Sequence, residues 1–251
     1  PVTIHGYGLM IAVGILVAVL VAGYRAKRKG LSADTVYSLG IAALICGFIG
    51  AKLMYLIVDW KVFIADPLQA LSGQGFVIYG GILGGVAAAI LYCRKKKISF
   101  LRYFDLVAPS LSLAQGFGRI GCFLAGCCYG RETDSVFGIV FHHSLYAPNG
   151  VRLIPTQLMS SAGNFLIAGI LLLYGRRDRR AGRVGAMYLI LYSVGRFIIE
   201  FFRDDYRGAV GFLSTAQFIS VFTLAIGVCL FFLDKLPWVR KPGGSDSEPK
   251  A

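Results

Sequence analysis

Seven long apolar runs constrain the fold of this chain more than any other feature. They lie at approximately 6–24, 35–58, 76–93, 104–127, 155–175, 184–202 and 212–234. Most approach the roughly 20 residues that a helix needs to cross a bilayer. Hydrophobic residues make up 56% of the chain and charged residues only 16%, a composition that excludes a soluble globular protein. We predict an all-α polytopic membrane protein with about seven transmembrane helices. They form one domain over residues 1–242, which a disordered tail follows over 243–251.

Basic residues fall unevenly on the two sides of this predicted bundle. Eighteen of them lie on one side, in or beside the blocks at 25–29, 94–97 and 176–180 and in the tail, whereas only five fall on the other side. Because cytoplasmic loops are enriched in lysine and arginine, the N-terminus is predicted to be external and the C-terminus cytoplasmic. The basic residues form short blocks without interleaved aromatic residues, so no nucleic-acid partner is predicted despite a net charge of +13.

Two arginines, Arg119 and Arg196, lie inside the apolar runs. A guanidinium at membrane depth costs on the order of several kcal/mol unless it faces a cavity and finds a partner. Its planar fork suits phosphate or carboxylate oxygens, so we predict an anion pocket, most simply for a phospholipid headgroup. Glu200 follows Arg196 by one helical turn, and a structural ion pair between them is the alternative. Lys52 is expected to bind substrate, to pair with a carboxylate or to extend toward the interface.

Five motifs occur in a characteristic order. They are HGYGLM at 5–10, GQGFVIYGGILGG at 73–85, GRIGCFLAGCCYG at 118–130, PTQL at 155–158 and GRFIIEFFR at 195–203. In composition, order and spacing they resemble blocks of the prolipoprotein diacylglyceryl transferase family. Each motif is weak alone, but together they cover nearly the whole chain and indicate this family.

The resemblance implies transfer of the diacylglyceryl group of phosphatidylglycerol to the thiol of a lipobox cysteine in a prolipoprotein. Glycerol 1-phosphate is released at the external face of the bacterial plasma membrane, and no cofactor is expected. Arg119 and Arg196 would hold the phosphate and stabilise the charge on it as it departs. Substrate contacts are expected from Tyr7, Lys52, Gly130, Gln157, Glu200 and Arg203.

The chain departs from the family pattern at three positions, which complete the predicted catalytic set with Arg119 and Arg196. Tyr79 stands where the family has a histidine, Cys122 where it has an asparagine and Cys127 where it has a glutamate. Histidine titrates near neutrality and can accept a thiol proton, whereas tyrosine, with a pKa of about 10, is a poor base. Tyr79 could instead donate a hydrogen bond to phosphate.

Three interpretations of Cys122, Cys127 and Cys128 stay open. They could pack a helix end, act as a redox or nucleophilic group whose thiolate a neighbouring arginine favours, or bind a metal with His142 and His143. The CxxxxCC spacing is not a standard metal-binding one, so no metal ligand is predicted, and the histidines could also supply the missing base. The alternative functions are transfer to a different thiol or hydroxyl acceptor, a thiol-based redox or transport protein, and a lipid-binding protein without catalysis.

Overall fold

The computed structural model describes residues 6–72, 75–204 and 209–232, and these contain nine helices and four short strands. The helices are α1 (Gly6–Arg28), α2 (Ala33–Val58), α3 (Trp60–Ala65), α4 (Pro67–Ser72), α5 (Ile78–Lys96), α6 (Phe100–Leu124), α7 (Thr156–Tyr174), α8 (Arg183–Glu200) and α9 (Thr215–Phe231). The strands are β1 (Ile139–Val140), β2 (Arg152–Leu153), β3 (Ala209–Val210) and β4 (Leu213–Ser214). His5, Gly73 and Gln74 of the sequence motifs, the basic residue Arg207 and the predicted tail at 243–251 lie outside the described residues.

Each of the seven apolar runs coincides with one long helix, and the short helices α3 and α4 were not predicted. By length and composition, α1, α2 and α7 could each cross a membrane, and α9 is a shorter apolar helix. Large apolar side chains on α1 and α2, such as Leu20, Phe48 and Ile57, are exposed, which suits contact with lipid. An all-α membrane-type fold is therefore confirmed, whereas seven crossings stay a prediction.

α6 packs against α1, α7 and α8 and runs antiparallel to α1. Gly14 near the start of α1 lies against Ala114, toward the end of α6. Arg25 near the end of α1 donates to the carbonyl oxygen of Asp105, close to the start of α6. With α7 and α8 continuing this alternation, one end of the bundle contains the start of α1, the end of α6, the start of α7 and the end of α8.

The opposite end of the bundle is held by two charged residues. The carboxylate of Asp105 accepts hydrogen bonds of 2.7 Å from the N–H groups of Gly182 and Gly185, and it thereby satisfies free donors at the start of α8. Sequence analysis placed Arg25 in a cytoplasmic basic block, but its side chain is buried and bonds to the carbonyl oxygens of Asp105 and Leu106. Both residues tie α6 to its neighbours.

α2 and α5 pack closely because glycines line their contact. A Cβ atom at Gly50 would lie 2.5 Å from the carbonyl oxygen of Gly80, and one at Gly84 would lie 2.5 Å from that of Cys46. Both distances are too short for real side chains. Glycines of the motif at 73–85 therefore permit this close packing, which follows the common use of small residues between membrane helices.

Short β pairings join the segments that follow α6 and α8. β1 pairs antiparallel with β2, β3 pairs antiparallel with β4, and Gly130 forms an isolated bridge with Arg203. A Cβ atom at Gly130 would lie 2.6 Å from the carbonyl oxygen of Phe202, so only glycine fits. These contacts fix the end of α8 against the segment that follows α6.

Candidate active site

A small pocket lies between α6, α7 and α8, toward the end where α6 terminates. Its volume of about 40 Å³ gives room for about three water molecules, so a small polar group fits and a whole lipid does not. Its lining residues are Arg119, Ser160, Gly163, Asn164, Ile167, Tyr192, Gly195, Arg196 and Ile199. The two arginines singled out from the sequence therefore line one pocket.

Arg119 projects from α6 and is partly buried. Within the described part of the chain, no group forms a hydrogen bond or an ion pair with its guanidinium. A guanidinium carries five N–H donors and is costly at membrane depth when it lacks a counter-ion. The N–H donors of the Arg119 guanidinium can therefore bind an anionic ligand in the pocket.

Arg196 is paired within α8, as the i,i+4 spacing predicts. Its Nη1 lies 2.8 Å from Oε2 of Glu200, and the two side chains are only 15% and 8% exposed. The same carboxylate oxygen lies 3.8 Å from Nε of Arg203, and Oε1 accepts a 2.9 Å hydrogen bond from the Ser214 hydroxyl. Glu200 thus holds Arg196 in position and links the end of α8 to the start of α9.

The charges near the pocket do not balance. Arg119 and Arg196 line the pocket, and none of its described lining residues is acidic; Glu200, which pairs with Arg196, is not one of them. All three side chains in the Glu200 network are largely shielded from solvent, which strengthens their field. This excess of positive charge among the described residues of the pocket favours an anionic ligand.

Cys122, Cys127 and Cys128 converge at the end of α6. Their Sγ atoms all lie within 4.8 Å of one another, and those of Cys127 and Cys128 are 3.8 Å apart. Cys127 lies beyond the end of α6, and hydrogen bonding to Cys122 raises the pKa of its thiol, with hydrogen bonding to Cys128 and burial acting in the same direction. Arg119 is not among the groups that act on this thiol, so the predicted effect of a neighbouring arginine on the cysteines stays a prediction.

The first turn of α7 fixes this cysteine loop. The Thr156 hydroxyl donates a 2.8 Å hydrogen bond to the carbonyl oxygen of Cys128, and Nε2 of Gln157 donates a 2.9 Å bond to that of Cys127. Both side chains are almost fully buried. Gln157, expected to contact substrate, thus supports the cysteine loop, and Gly130, expected likewise, makes main-chain contacts to the end of α8.

Tyr7 lies at this end of the bundle, at the start of α1. A Cβ atom at Gly121 would lie 3.2 Å from Cδ2 of Tyr7, and the phenol is within electrostatic reach of Arg119 and the three thiols. Tyr7 does not line the pocket, and its predicted contact with substrate stays a prediction. His142 and His143 are exposed and do not belong to the cysteine group.

Tyr79 and Lys52 belong to the α2–α5 pair and do not line the pocket. Tyr79 lies in the first turn of α5. The Lys52 ammonium donates a 3.4 Å hydrogen bond to the carbonyl oxygen of Gly75 and lies 5.0 Å from the centre of the Phe76 ring. Their predicted roles in catalysis and substrate binding stay predictions.

Asn164 is a pocket residue that sequence analysis missed. Its Nδ2 donates a 2.9 Å hydrogen bond to the carbonyl oxygen of Ser160, but no described group donates to its buried Oδ1. A buried acceptor without a donor is unfavourable, so a hydroxyl or water in the pocket would satisfy it. The signal was available in the sequence, because residues 160, 161 and 164 are polar and share one face of an otherwise apolar helix.

Comparison with known proteins gives a consistent result. The family model for prolipoprotein diacylglyceryl transferase matches residues 1–233. Three relatives are each named as a phosphatidylglycerol–prolipoprotein diacylglyceryl transferase. The one from Clostridium tetani is 51% identical over 234 residues, which are 92% of this chain and 94% of the relative. The one from Clostridium perfringens is 46% identical over 242 residues, or 96% and 94% of the two chains. The one from Clostridioides difficile is 34% identical over 229 residues, or 90% and 89%.

The range matched by the family model includes all five motifs, and each of the three relatives matches at least 90% of the chain. The chain therefore belongs to the prolipoprotein diacylglyceryl transferase family.

Proposed function

We propose that this protein is an enzyme that transfers the diacylglyceryl group of phosphatidylglycerol to the cysteine thiol of a prolipoprotein. The observation that carries the proposal is the Arg119 guanidinium, which lacks a partner among the described residues and shares a pocket with Arg196. Phosphatidylglycerol and prolipoprotein are the donor and acceptor that the names of the relatives give. A phosphodiester is the anion that such a paired arginine site suits.

The reaction places its charge where the arginines lie. The acceptor sulfur attacks the diacylglyceryl carbon that carries the phosphate, a C–S bond forms, and the C–O bond to phosphate breaks. Glycerol phosphate leaves with the electron pair of that bond and with the proton of the thiol. Arg119 and Arg196 stabilise the charge that develops on the departing phosphate, and Glu200 keeps Arg196 oriented for this task.

The pocket also suits the glycerol headgroup. Its volume admits only a polar part of the donor, so the acyl chains stay among the apolar helix surfaces in the membrane. The unsatisfied Oδ1 of Asn164 can accept a hydrogen bond from a headgroup hydroxyl. A site that offers a buried acceptor discriminates against a headgroup without the matching donor.

The proposal includes the topology. Residues 1–242 form one transmembrane domain of seven crossings in the bacterial plasma membrane, with the N-terminus external and the C-terminus cytoplasmic. Basic blocks at the ends of α1, α5 and α7 lie away from the pocket, whose arginine on α6 is near the opposite end. By the positive-inside rule, the pocket then opens toward the external side.

The test uses the purified protein in nanodiscs that contain phosphatidylglycerol labelled in its headgroup glycerol. A lipobox peptide with its cysteine is added, and labelled glycerol phosphate and the mass of the peptide are measured. We expect label release together with a peptide heavier by one diacylglyceryl group. A peptide with serine in place of cysteine and nanodiscs of unlabelled phosphatidylethanolamine are the controls. Absence of release with the cysteine peptide would contradict the proposal, and equal transfer to the serine peptide would indicate a hydroxyl acceptor.

A further inference from the structure

The arrangement of the three sulfur atoms at the end of α6 matches the dimensions of a zinc site. A tetrahedral zinc ion with Zn–S bonds of about 2.3 Å separates its sulfur ligands by about 3.8 Å. The Sγ atoms of Cys127 and Cys128 are 3.8 Å apart, and that of Cys122 is within 4.8 Å of both. Small side-chain rotations would complete a three-sulfur face.

The loop that presents the sulfur atoms has a specific, constrained conformation. Cys128 adopts a left-handed backbone with φ of 64°, which is uncommon for a residue with a side chain and unfavourable without compensation. Successive side chains of an extended chain point to opposite sides, whereas this conformation brings two neighbouring thiols together. Thr156 and Gln157 hold the two cysteine carbonyl oxygens, and the Cys127 N–H donates to the carbonyl oxygen of Cys122.

Packing alone does not account for this cluster. Cys122 and Cys127 are only partly buried, and Cys46, Cys93 and Cys229 lie singly within other helices. A hydrophobic role would not require a strained backbone that gathers three thiols beside Arg119. Three convergent thiols instead form a ligand set that selects a soft cation.

We propose that Cys122, Cys127 and Cys128 bind a Zn²⁺ ion whose fourth position takes the thiol of the acceptor cysteine. This inference rests on the proposed function and extends it to the activation of the acceptor. Three protein ligands and one open position are the usual arrangement of a catalytic zinc site. The non-standard spacing hid this site at the level of sequence, because it is the turn after α6 that brings the three sulfur atoms together.

A bound zinc ion would replace the proton acceptor that is missing at position 79. Tyrosine is a poor base, and Tyr79 does not line the pocket. Coordination to zinc makes a thiol give up its proton without a protein base. Three cysteine thiolates leave the bound ion with one net negative charge, and Arg119, one turn before Cys122 on α6, lies on the same face and offsets it.

The reaction balances without a redox step. The three ligand thiols release three protons when zinc binds. The acceptor thiol releases one proton when it occupies the fourth position, and the departing glycerol phosphate takes up one proton. The sulfur bound to zinc forms the C–S bond as the C–O bond to phosphate breaks. The resulting thioether is a weaker zinc ligand than a thiolate, so the product leaves the ion.

The first test measures metal directly. The full-length protein is purified in detergent with a reductant, loaded with Zn²⁺ and desalted, and zinc per chain is determined by mass spectrometry. We expect about one ion per chain in the wild type and none in Cys122→Ser/Cys127→Ser/Cys128→Ser. The matched control, Cys46→Ser/Cys93→Ser/Cys229→Ser, should keep its zinc. Equal zinc in both triple variants, or a disulfide among the first three cysteines that excludes zinc, would overturn the proposal.

The second test does not depend on a variant that folds. Co²⁺ replaces zinc in the wild type, and its thiolate charge-transfer and ligand-field absorption is recorded. Addition of a lipobox peptide should change this spectrum, and the serine peptide should not. An unchanged spectrum with the cysteine peptide would overturn the role in acceptor activation.

Transfer activity measured with and without zinc distinguishes the zinc proposal from the proposed transferase function on which it rests. Removal of zinc should lower the transfer rate about 100-fold, the lower part of what a positioned proton acceptor contributes, and Zn²⁺ should restore it. Full transfer by zinc-free protein would overturn the zinc proposal and leave the transferase function intact. No transfer with or without zinc would contradict the transferase function, while the metal content would still decide whether the site exists.

Discussion

Arg119 and Arg196 should respond differently to alanine substitution, because only Arg196 is paired within the described structure. Loss of one preorganised electrostatic donor costs about 100- to 1,000-fold in rate, so both variants should lose transfer activity on this scale. Arg119→Ala removes a charge without a described partner and should leave stability unchanged or slightly raised. Arg196→Ala leaves the Glu200 carboxylate with Arg203 at 3.8 Å, and we expect a loss of about 3 kcal/mol, the lower end for a broken buried pair.

The assay compares release of labelled glycerol phosphate with the thermal midpoint of unfolding in the same detergent. Arg196→Ala/Glu200→Gln should recover much of the lost stability and none of the activity, because the orphaned carboxylate is gone and the guanidinium is still missing. Lysine at either position should restore little activity, since an ammonium does not reproduce a bidentate fork. Equal loss of stability in Arg119→Ala and Arg196→Ala would refute this reasoning, as would near-normal activity in both.

Three further predictions follow from the topology, the helix packing and the pocket. Single cysteines in 131–152 should be labelled by an impermeant thiol reagent from outside and those in 94–97 only from inside, in a background whose native cysteines are replaced; external labelling of 94–97 would reverse the orientation. Gly80→Ala should destabilise the protein by about 1–3 kcal/mol because α2 and α5 must separate, whereas Gly40→Ala, which has open space, should be neutral or stabilising; equal thermal midpoints would contradict this. Asn164→Leu should reduce the preference for phosphatidylglycerol over a donor without headgroup hydroxyls roughly fivefold, which is about the contribution of one hydrogen bond. The preference is measured as the ratio of the two kcat/KM values, and an unchanged ratio would show that Asn164 does not recognise the headgroup.

Local spacing accounts for what the sequence predicted well. The seven helices follow from apolar runs of bilayer length, and the Arg196–Glu200 pair follows from the geometry of a single helix turn. These features require no knowledge of which helices are neighbours.

Features that depend on contacts between helices could not be predicted from the sequence in this way. Arg25 belongs to a basic block by sequence, but the antiparallel packing of α1 on α6 buries it against main-chain carbonyl oxygens. The convergence of the three cysteines depends on a left-handed residue and on two side chains from α7. Tyr79 was placed in the catalytic set from its motif, whereas the residues that line the pocket come from α6, α7 and α8.

The pairing of charges within helices affects how the chain enters the membrane during synthesis. α6 leaves the ribosome before α7 and α8 exist, so in the proposed topology Arg119 enters the bilayer when two of the three walls of its pocket are missing. α1 is already present and packs along α6, which limits the exposure of that charge to lipid. α8 later enters with Arg196 and Glu200 paired within one turn and carries little net charge at that depth. In the proposed topology, integration of α6 is therefore more costly than integration of α8.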